Sequence, residues 1–295
     1  MTAIVYAPGP VAARCGYSWS NACAGSVDRA EAASVRFDRP TAEEVRMEVR
    51  RGIALVTGAS RGLGAAIARR LGSDGWPVAV CYRSDAERAR QVVEDIRAAS
   101  GTAEAFAADV TDEDATNSLV AEVTRRLGPV EVLVVNATGP QPATAIEDLT
   151  WQAHLDQLHF FVKSPTLLLQ EVLPGMKARR RGRVVQIGSD IFERALPGMS
   201  AYVAAKGARF GLTRCWAREL GPFGITVNLV APGWIPVERH ADVSAGDLDA
   251  YVTDVPLSRI GSPDDVASTV AFLASEGAGF ITGERVTVNG GHTID

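Results

Sequence analysis

A single-domain Rossmann arrangement, a seven-stranded doubly wound parallel sheet with helices on both faces, is the α/β fold this sequence predicts. Three observations carry that expectation. From Ile53 onward, short apolar runs alternate with segments of helical period, the pattern of a parallel sheet covered by helices. The first run stops at a glycine-rich turn that opens a helix. No internal repeat or second patterned region divides the 295 residues.

The elements follow in order. Ile53-Ala54-Leu55-Val56 is apolar at every position, as a strand buried on both faces requires. A helix is expected from Gly62 to about Leu71, then a strand over Val78-Ala79-Val80-Cys81. Asp85 suits an N-cap for a helix reaching about Ala99. Ala103 to Ala107 reads as the third strand, and Asp112 opens the next helix. Val132 to Val135 is the fourth strand, ending at Asn136. Trp151 to Met176 reads as one long helix, bent at Pro165, which lacks an N–H. The basic cluster Arg179 to Arg183 falls at its end and reads as a solvated cap favoured by the helix dipole. Val184 to Ile187 is the fifth strand, Ser200 to Leu220 a helix, and Ile225 to Val230 the sixth strand. Ala231 to about Val255 is punctuated by Pro and Gly and reads as loop. Pro263 begins a helix at a favoured first-turn position, and Val286 to Val288 is the last strand.

Residues 1–46 differ from this pattern. They are rich in Ala, Gly, Ser and Arg without sustained period, and read as a poorly ordered extension ahead of a domain over 47–295. Met47 precedes the first strand, so a start there, the present start codon being misassigned, would leave that strand complete.

Composition narrows the function classes. With 46% hydrophobic and 22% charged residues the chain is of ordinary globular type, and a net charge of −5 offers no basic face for nucleic acid. No apolar run approaches the roughly 18 residues of a membrane helix, so no membrane partner is expected. Cys15, Cys23, Cys81 and Cys215 are scattered without a C-x-x-C pair; neither a disulfide framework nor a metal site is expected, and a reducing, cytoplasmic location is.

Thr57-Gly58-Ala59-Ser60-Arg61-Gly62-Leu63-Gly64 joins the first strand to the first helix. Gly58 permits a tight turn; Gly62 and Gly64 let backbone come close to a pyrophosphate and to the sheet. The free N–H groups of the following helix favour an anion. A purely structural turn is the alternative. At the end of the second strand, an acid would accept hydrogen bonds from the ribose 2′-hydroxyl of NAD. Tyr82-Arg83-Ser84 stands there instead. Arg83, with Arg61 from the glycine turn, suits the 2′-phosphate of NADP. The competing readings are arginines in solvent, or Asp85 as the ribose acceptor.

Tyr202 and Lys206 have the spacing Y-x-x-x-K, which puts phenol and ammonium on one helix face. A free phenol titrates near 10 and transfers protons poorly at neutral pH, whereas a neighbouring ammonium favours phenolate. An exposed tyrosine beside a surface lysine would have the same spacing.

From Ile53 to Gly291 the chain resembles the short-chain dehydrogenase/reductase family, whose glycine motif is T-G-x-x-x-G-x-G. The resemblance is closest to the branch that reduces 3-oxoacyl thioesters, including ketoreductases of polyketide pathways. It adds Asp109-Val110 as an adenine contact, Asn136-Ala137 as part of the family's N-N-A-G, and Pro232-Gly233 after the sixth strand. Val288-Asn289-Gly290-Gly291 resembles the terminal D-G-G segment. It identifies Ser189, thirteen residues before Tyr202, with the family's catalytic serine. What it implies is an NADP(H)-dependent oxidoreductase reducing a ketone to a secondary alcohol. Ser189 would orient the carbonyl oxygen, Tyr202 would act as general acid, and Lys206 would tune the phenol and hold the nicotinamide ribose. The partners implied are a small carbonyl substrate, an acyl thioester included, and further copies of the chain in a homodimer or homotetramer.

Three departures from the family stand out. The asparagine of its fourth helix is replaced at Leu158, in a stretch about three residues longer than usual; Gln157, His159 or water would serve the proton relay instead. Thr138 stands where a glycine usually follows Asn136-Ala137, with Gly139 one step later. A threonine that touches the carboxamide is absent from Trp234-Ile235-Pro236-Val237, leaving backbone groups near Ile235 to do that work. Residues 234–255 read as a lid, with Glu238-Arg239-His240 as candidate substrate contacts. Pro140-Gln141 and Asp190-Ile191-Phe192 would line the pocket. Competing functions are an alcohol dehydrogenase acting oxidatively and a dinucleotide-sensing module without chemistry. An epimerase or dehydratase would need a larger C-terminal domain.

Overall fold

Strand β1 (Ile53–Val56) is apolar on both faces because it lies at the centre of a sheet that is covered on both. A computed structural model describes residues 52–238 and 245–294, which belong to one unit, Val49–Asp295. The extension expected over 1–46 lies outside these residues, as do Arg239 and His240.

Beside β1 run β2 (Val78–Tyr82) and then β3 (Ala103–Ala107) on one side, and β4 (Val130–Val135), β5 (Gly182–Ile187), β6 (Ile225–Pro232) and β7 (Arg285–Val288) on the other. Every pairing is parallel. The order β3-β2-β1-β4-β5-β6-β7 reverses direction between β1 and β4. Connections leave the two strands toward opposite faces there and open a crevice beyond their carboxyl ends.

Alternate strand residues serve two cores. Ala54, Val56, Val80 and Val134 face α1 (Gly62–Ser73), α2 (Ala86–Ala98) and α9 (Pro263–Ala274), where Ile67, Leu71, Val92 and Val270 are buried. Leu55, Ala79, Leu133 and Val184 face α3 (Glu113–Arg126), α5 (Ser164–Arg179) and α7 (Ser200–Leu220), against Leu119, Val123, Leu168 and Leu220. The expected caps form: Asp85 accepts from the Arg88 amide, Asp112 from that of Ala115, and Ser262 with Asp265 closes a capping box ahead of Pro263.

Three expectations are corrected. The stretch over 151–176 is helical throughout, as expected, and runs on to Arg179, but not as one regular α-helix. It is α4 (Trp151–Leu158), a π-helical turn over His159–Lys163, and α5 with Pro165 in its first turn, where proline fits. The cluster Arg179–Arg183 is no solvated cap. Arg183 lies inside β5 and is buried, and Arg181 pairs with Glu131, itself buried, at 2.5 Å. Arg179 donates to the Val130 carbonyl at 2.6 Å, tying α5 to the sheet. Finally, the loop read over 231–255 contains α8 (Ala245–Thr253). Among the described residues no helix is long and apolar enough to cross a membrane.

Candidate active site

The glycine turn folds as its spacing requires. Gly58 and Gly62 have φ of +63° and +54°, in the left-handed region that favours glycine. A Cβ on Gly64 would stand 2.3 Å from the Gly58 carbonyl oxygen, so the helix start could not close on the turn with any other residue. The first amides of α1 have no carbonyl acceptor within the helix. That of Gly62 donates to a carboxylate oxygen of Glu238 at 3.3 Å. Glu238 is exposed and comes from the segment after β6. Its carboxylate is thus an anionic acceptor at the helix N-terminus. Ser60 and Leu63 are half-buried in the same turn, and Arg61 is exposed at its crest.

At the end of β2, Arg83 and Ser84 are exposed. Arg83 stands 3.8 Å from Asp109, the second residue after β3, with buried Val110 beside it. Burial would raise the Asp109 carboxyl, but hydrogen bonds from the Thr111 hydroxyl and amide, with the charge of Arg83, hold it below the usual carboxylate range. Asp85 is engaged as the α2 cap. Cys81 beneath them is inert: burial pushes its thiol up to about 12.

Asn136 and Ala137 form the floor between β1 and β4. Both amides donate to the Thr57 hydroxyl, at 3.0 and 3.1 Å, and the Asn136 side chain donates to the Thr57 and Gly58 carbonyls at 2.9 and 3.2 Å. Asn136 therefore acts on the glycine turn itself. The displaced glycine has a packing reason, because a Cβ on Gly139 would meet the Phe160 ring at 2.3 Å. Gln141 donates to the Thr138 hydroxyl at 2.8 Å. Of the substitutes for the missing asparagine, Gln157 is buried and donates to the Pro140 carbonyl at 2.8 Å, while His159 is exposed.

Tyr202 and Lys206 sit on one face of α7, against the carboxyl end of β5. The Lys206 ammonium is buried and lies 5.4 Å from the centre of the Tyr202 ring and 4.2 Å from that of Phe161. It donates to the Ile187 and Gly188 carbonyls at 3.0 and 2.8 Å. These are the two residues before Ser189, so lysine and serine meet at one bend of backbone. The Ser189 oxygen accepts from the Ile191 amide at 3.2 Å, which leaves its proton to donate elsewhere. Phe161 packs edge-on against Tyr202, with ring centres 5.5 Å apart.

Behind the serine, Pro232 and Gly233 stitch three strand ends together. The Asp190 amide donates to the Pro232 carbonyl at 3.0 Å and the Gly233 amide to that of Val288 at 3.0 Å. Trp234 donates its amide to the Tyr251 hydroxyl at 2.9 Å, and Ile235 is buried next to Gly261. Asp190 itself does not line an open pocket. It is 2% exposed, with His292 at 3.6 Å, Asn289 at 3.5 Å and Arg194 nearby. Burial pushes its carboxyl above the usual range, and the charge of Arg194 opposes that shift. The sequence singled out Asp190 and Asn289, but neither His292 and Arg194, which complete this cluster, nor the buried Arg209. Arg209 was readable only as a third position on the Tyr202–Lys206 helix face. Among the described residues, no group of His, Cys, Asp and Glu side chains is arranged to hold a metal.

A family model described as enoyl-(acyl carrier protein) reductase matches residues 58–293. The chain is 40% identical over 241 residues to the 3-oxoacyl-[acyl-carrier-protein] reductase FabG of Staphylococcus aureus, covering 81% of this chain and 96% of that protein. With FabG of Pseudomonas aeruginosa it shares 35% over 247 residues, covering 83% and 98%. Among solved structures it is similar to the acetoin dehydrogenase YohF of Salmonella typhimurium, with TM-score 0.73 at 31% identity over 82% of this chain and 96% of that one. A Serratia marcescens short-chain dehydrogenase/reductase mutant matches with TM-score 0.76 at 35% identity, covering 82% and 98%.

Proposed function

The chain belongs to the short-chain dehydrogenase/reductase family, and from that premise we propose that it is an NADP(H)-dependent ketoreductase acting on 3-oxoacyl thioesters or similar carbonyls. The observation that carries the reading is the buried Lys206 ammonium beside the Tyr202 ring, donating to the two carbonyls that lead into Ser189.

The residues fit the cofactor. Gly58, Ser60, Arg61, Gly62, Leu63 and Gly64 would hold the pyrophosphate, since their turn already takes the Glu238 carboxylate and has no room for a Cβ at Gly64. Arg61, Arg83 and Ser84 would receive the 2′-phosphate, and Asp109 with Val110 the adenine. Asn136, Ala137, Pro232, Gly233 and Ile235 would frame the nicotinamide, and Tyr202 with Lys206 its ribose. Bound there, the cofactor supplies the hydride that reduces the carbonyl carbon.

The protein's part is position and proton. The Ser189 hydroxyl donates to the substrate oxygen, where negative charge develops. The Tyr202 hydroxyl gives its proton to the same oxygen, and the Lys206 charge favours the phenolate left behind. Alignment of these groups by strand end and helix face, before substrate arrives, removes reorganisation from the reaction step. Two cations at the ribose end, with Asp85 engaged as a cap, support NADP over NAD. The similarity to FabG supports reduction over oxidation and a thioester substrate. Exposed Phe272 and Phe280, near β7 in sequence, support a homo-oligomer, and the free Cys81 and Cys215 a reducing cytoplasm.

The test is NADPH consumption with a β-ketoacyl thioester, a cyclic ketone and a quinone, with NADH in parallel. Faster oxidation of NADPH with the thioester is expected. Folded protein that binds NADPH and turns over none of these carbonyls would overturn the reading.

A further inference from the structure

The π-turn between α4 and α5 has a cause in the sequence. Within His159–Lys163 the backbone makes five-residue hydrogen bonds, and the Ser164 amide reaches the His159 carbonyl. The next donor would be Pro165, which has none. The carbonyl five residues before it, Phe160, and the one four before it, Phe161, are therefore left without that backbone donor. A buried carbonyl without a donor is costly. Both are taken by Arg209, at 3.0 and 3.4 Å.

Arg209 is fully buried and on the face of α7 that carries Tyr202 and Lys206, three residues after the lysine. It also donates to the Val135 carbonyl at 3.3 Å and to the Ile187 carbonyl at 2.9 Å. Lys206 donates to that same Ile187 carbonyl. Both cations lie over the Phe161 ring, Arg209 at 4.9 Å and Lys206 at 4.2 Å, and the edge contact of this ring is with Tyr202. Two cations on one helix face thus share one carbonyl, and together with Tyr202 they share one aromatic ring.

We propose that Arg209 is a positioning residue for this site: it fixes the π-turn against α7 and serves as a second buried cation behind the Tyr202 phenol, in a chain that lacks the fourth-helix asparagine. The proposal rests on the ketoreductase reading for its catalytic meaning, and on the geometry alone for its electrostatics. Burial pushes the guanidinium down to about 9, so it remains a cation at neutral pH, and the charge of Tyr202 favours that cation. The interaction is mutual, so the cation favours the phenolate. Four carbonyl acceptors compensate the desolvated guanidinium without neutralising it, which leaves its charge to act on the phenol.

The experiment is a titration of tyrosinate absorbance in the cofactor-free full chain, with the Tyr202→Phe signal subtracted, in the parent, Arg209→Lys and Arg209→Met proteins. Because Arg209→Met strips the π-turn of its donor, it is also made with Pro165→Ala, which restores a backbone N–H to that turn. The double variant should regain thermal stability lost in the single one while Tyr202 still titrates about one unit higher than in the parent. Arg209→Lys should titrate close to the parent. In the oxidative direction, the rising limb of the kcat–pH profile should move up by the same amount in the charge-free variants, with KM for the alcohol little changed. A folded, charge-free variant in which Tyr202 titrates as in the parent would overturn the proposal. The titration needs no turnover, so it is independent of whether the ketoreductase reading holds.

Discussion

The Gly62 amide and the Glu238 carboxylate are hydrogen-bonded at 3.3 Å, so the glycine turn carries an anion from its own chain. A dinucleotide that uses this amide must displace it. Glu238→Gln removes the charge and keeps the length, and NADPH should bind roughly threefold to fivefold tighter, the scale of one charge at a helix N-terminus. Fluorescence titration at low and high salt measures it. The gain should shrink as salt screens the carboxylate. Equal affinities at low salt would remove Glu238 from any part in cofactor binding.

Tyr202→Phe keeps the ring against Phe161 and removes the proton. Turnover should fall on the order of 10³-fold, while NADPH affinity stays within about twofold. Steady-state assays beside fluorescence titration separate the two effects. A variant that keeps full kcat would end the assignment of Tyr202 as the acid.

Arg83→Ala removes one of the two cations acting on Asp109, Lys163 being the other, and one proposed ligand for a 2′-phosphate. KM for NADPH should rise about tenfold, or 1.4 kcal/mol, with KM for NADH unchanged or lower. An equal change for both cofactors would mean that Arg83 supports the adenine side only through Asp109.

Asp190 gives a dependence of stability on pH whose sign follows from its surroundings. Burial raises its carboxyl in the native state above the value near 3.9 of an unfolded chain. The native state is therefore favoured at low pH by this group, and loses that advantage as pH rises through the raised native value. Asp190→Asn abolishes the ionisation. Its melting temperature should exceed the parent's at pH 8, and the difference should shrink toward pH 4. A difference that does not vary with pH would show that His292 and Arg194 fully compensate the charge.

Most of the sheet was legible because two-sided burial writes itself as consecutive Val, Ile, Leu and Ala, and Asp85, Asp112 and Pro263 mark helix starts by chemistry that acts within four residues. The glycine turn and the Tyr202–Lys206 pair were legible as spacing along one element, and Ser189 was legible only through the family resemblance. What escaped depends on partners far apart in sequence. Arg183 looked like a surface cation, because the strand that buries it and the Ser275 carbonyl that faces it lie elsewhere. Arg209 serves carbonyls 22 to 74 residues away. Pro165 was seen as a bend, but its missing N–H acts through the π-turn and through Arg209, which no local pattern encodes. Asp190 belongs to a cluster completed by His292, 102 residues later.

The bonds between Thr57 and Asn136 cross the point where the sheet changes direction. The hydroxyl that receives the Asn136 and Ala137 amides is itself bonded to the Val134 carbonyl, and the Thr57 amide returns to that same carbonyl at 3.1 Å. Loosening one of these groups orphans the others, so the two halves of the sheet cannot breathe apart at the crevice. Deuterium should therefore enter the Asn136 and Ala137 amides only at the rate of global unfolding, even though both residues stand at the edge of an open cleft.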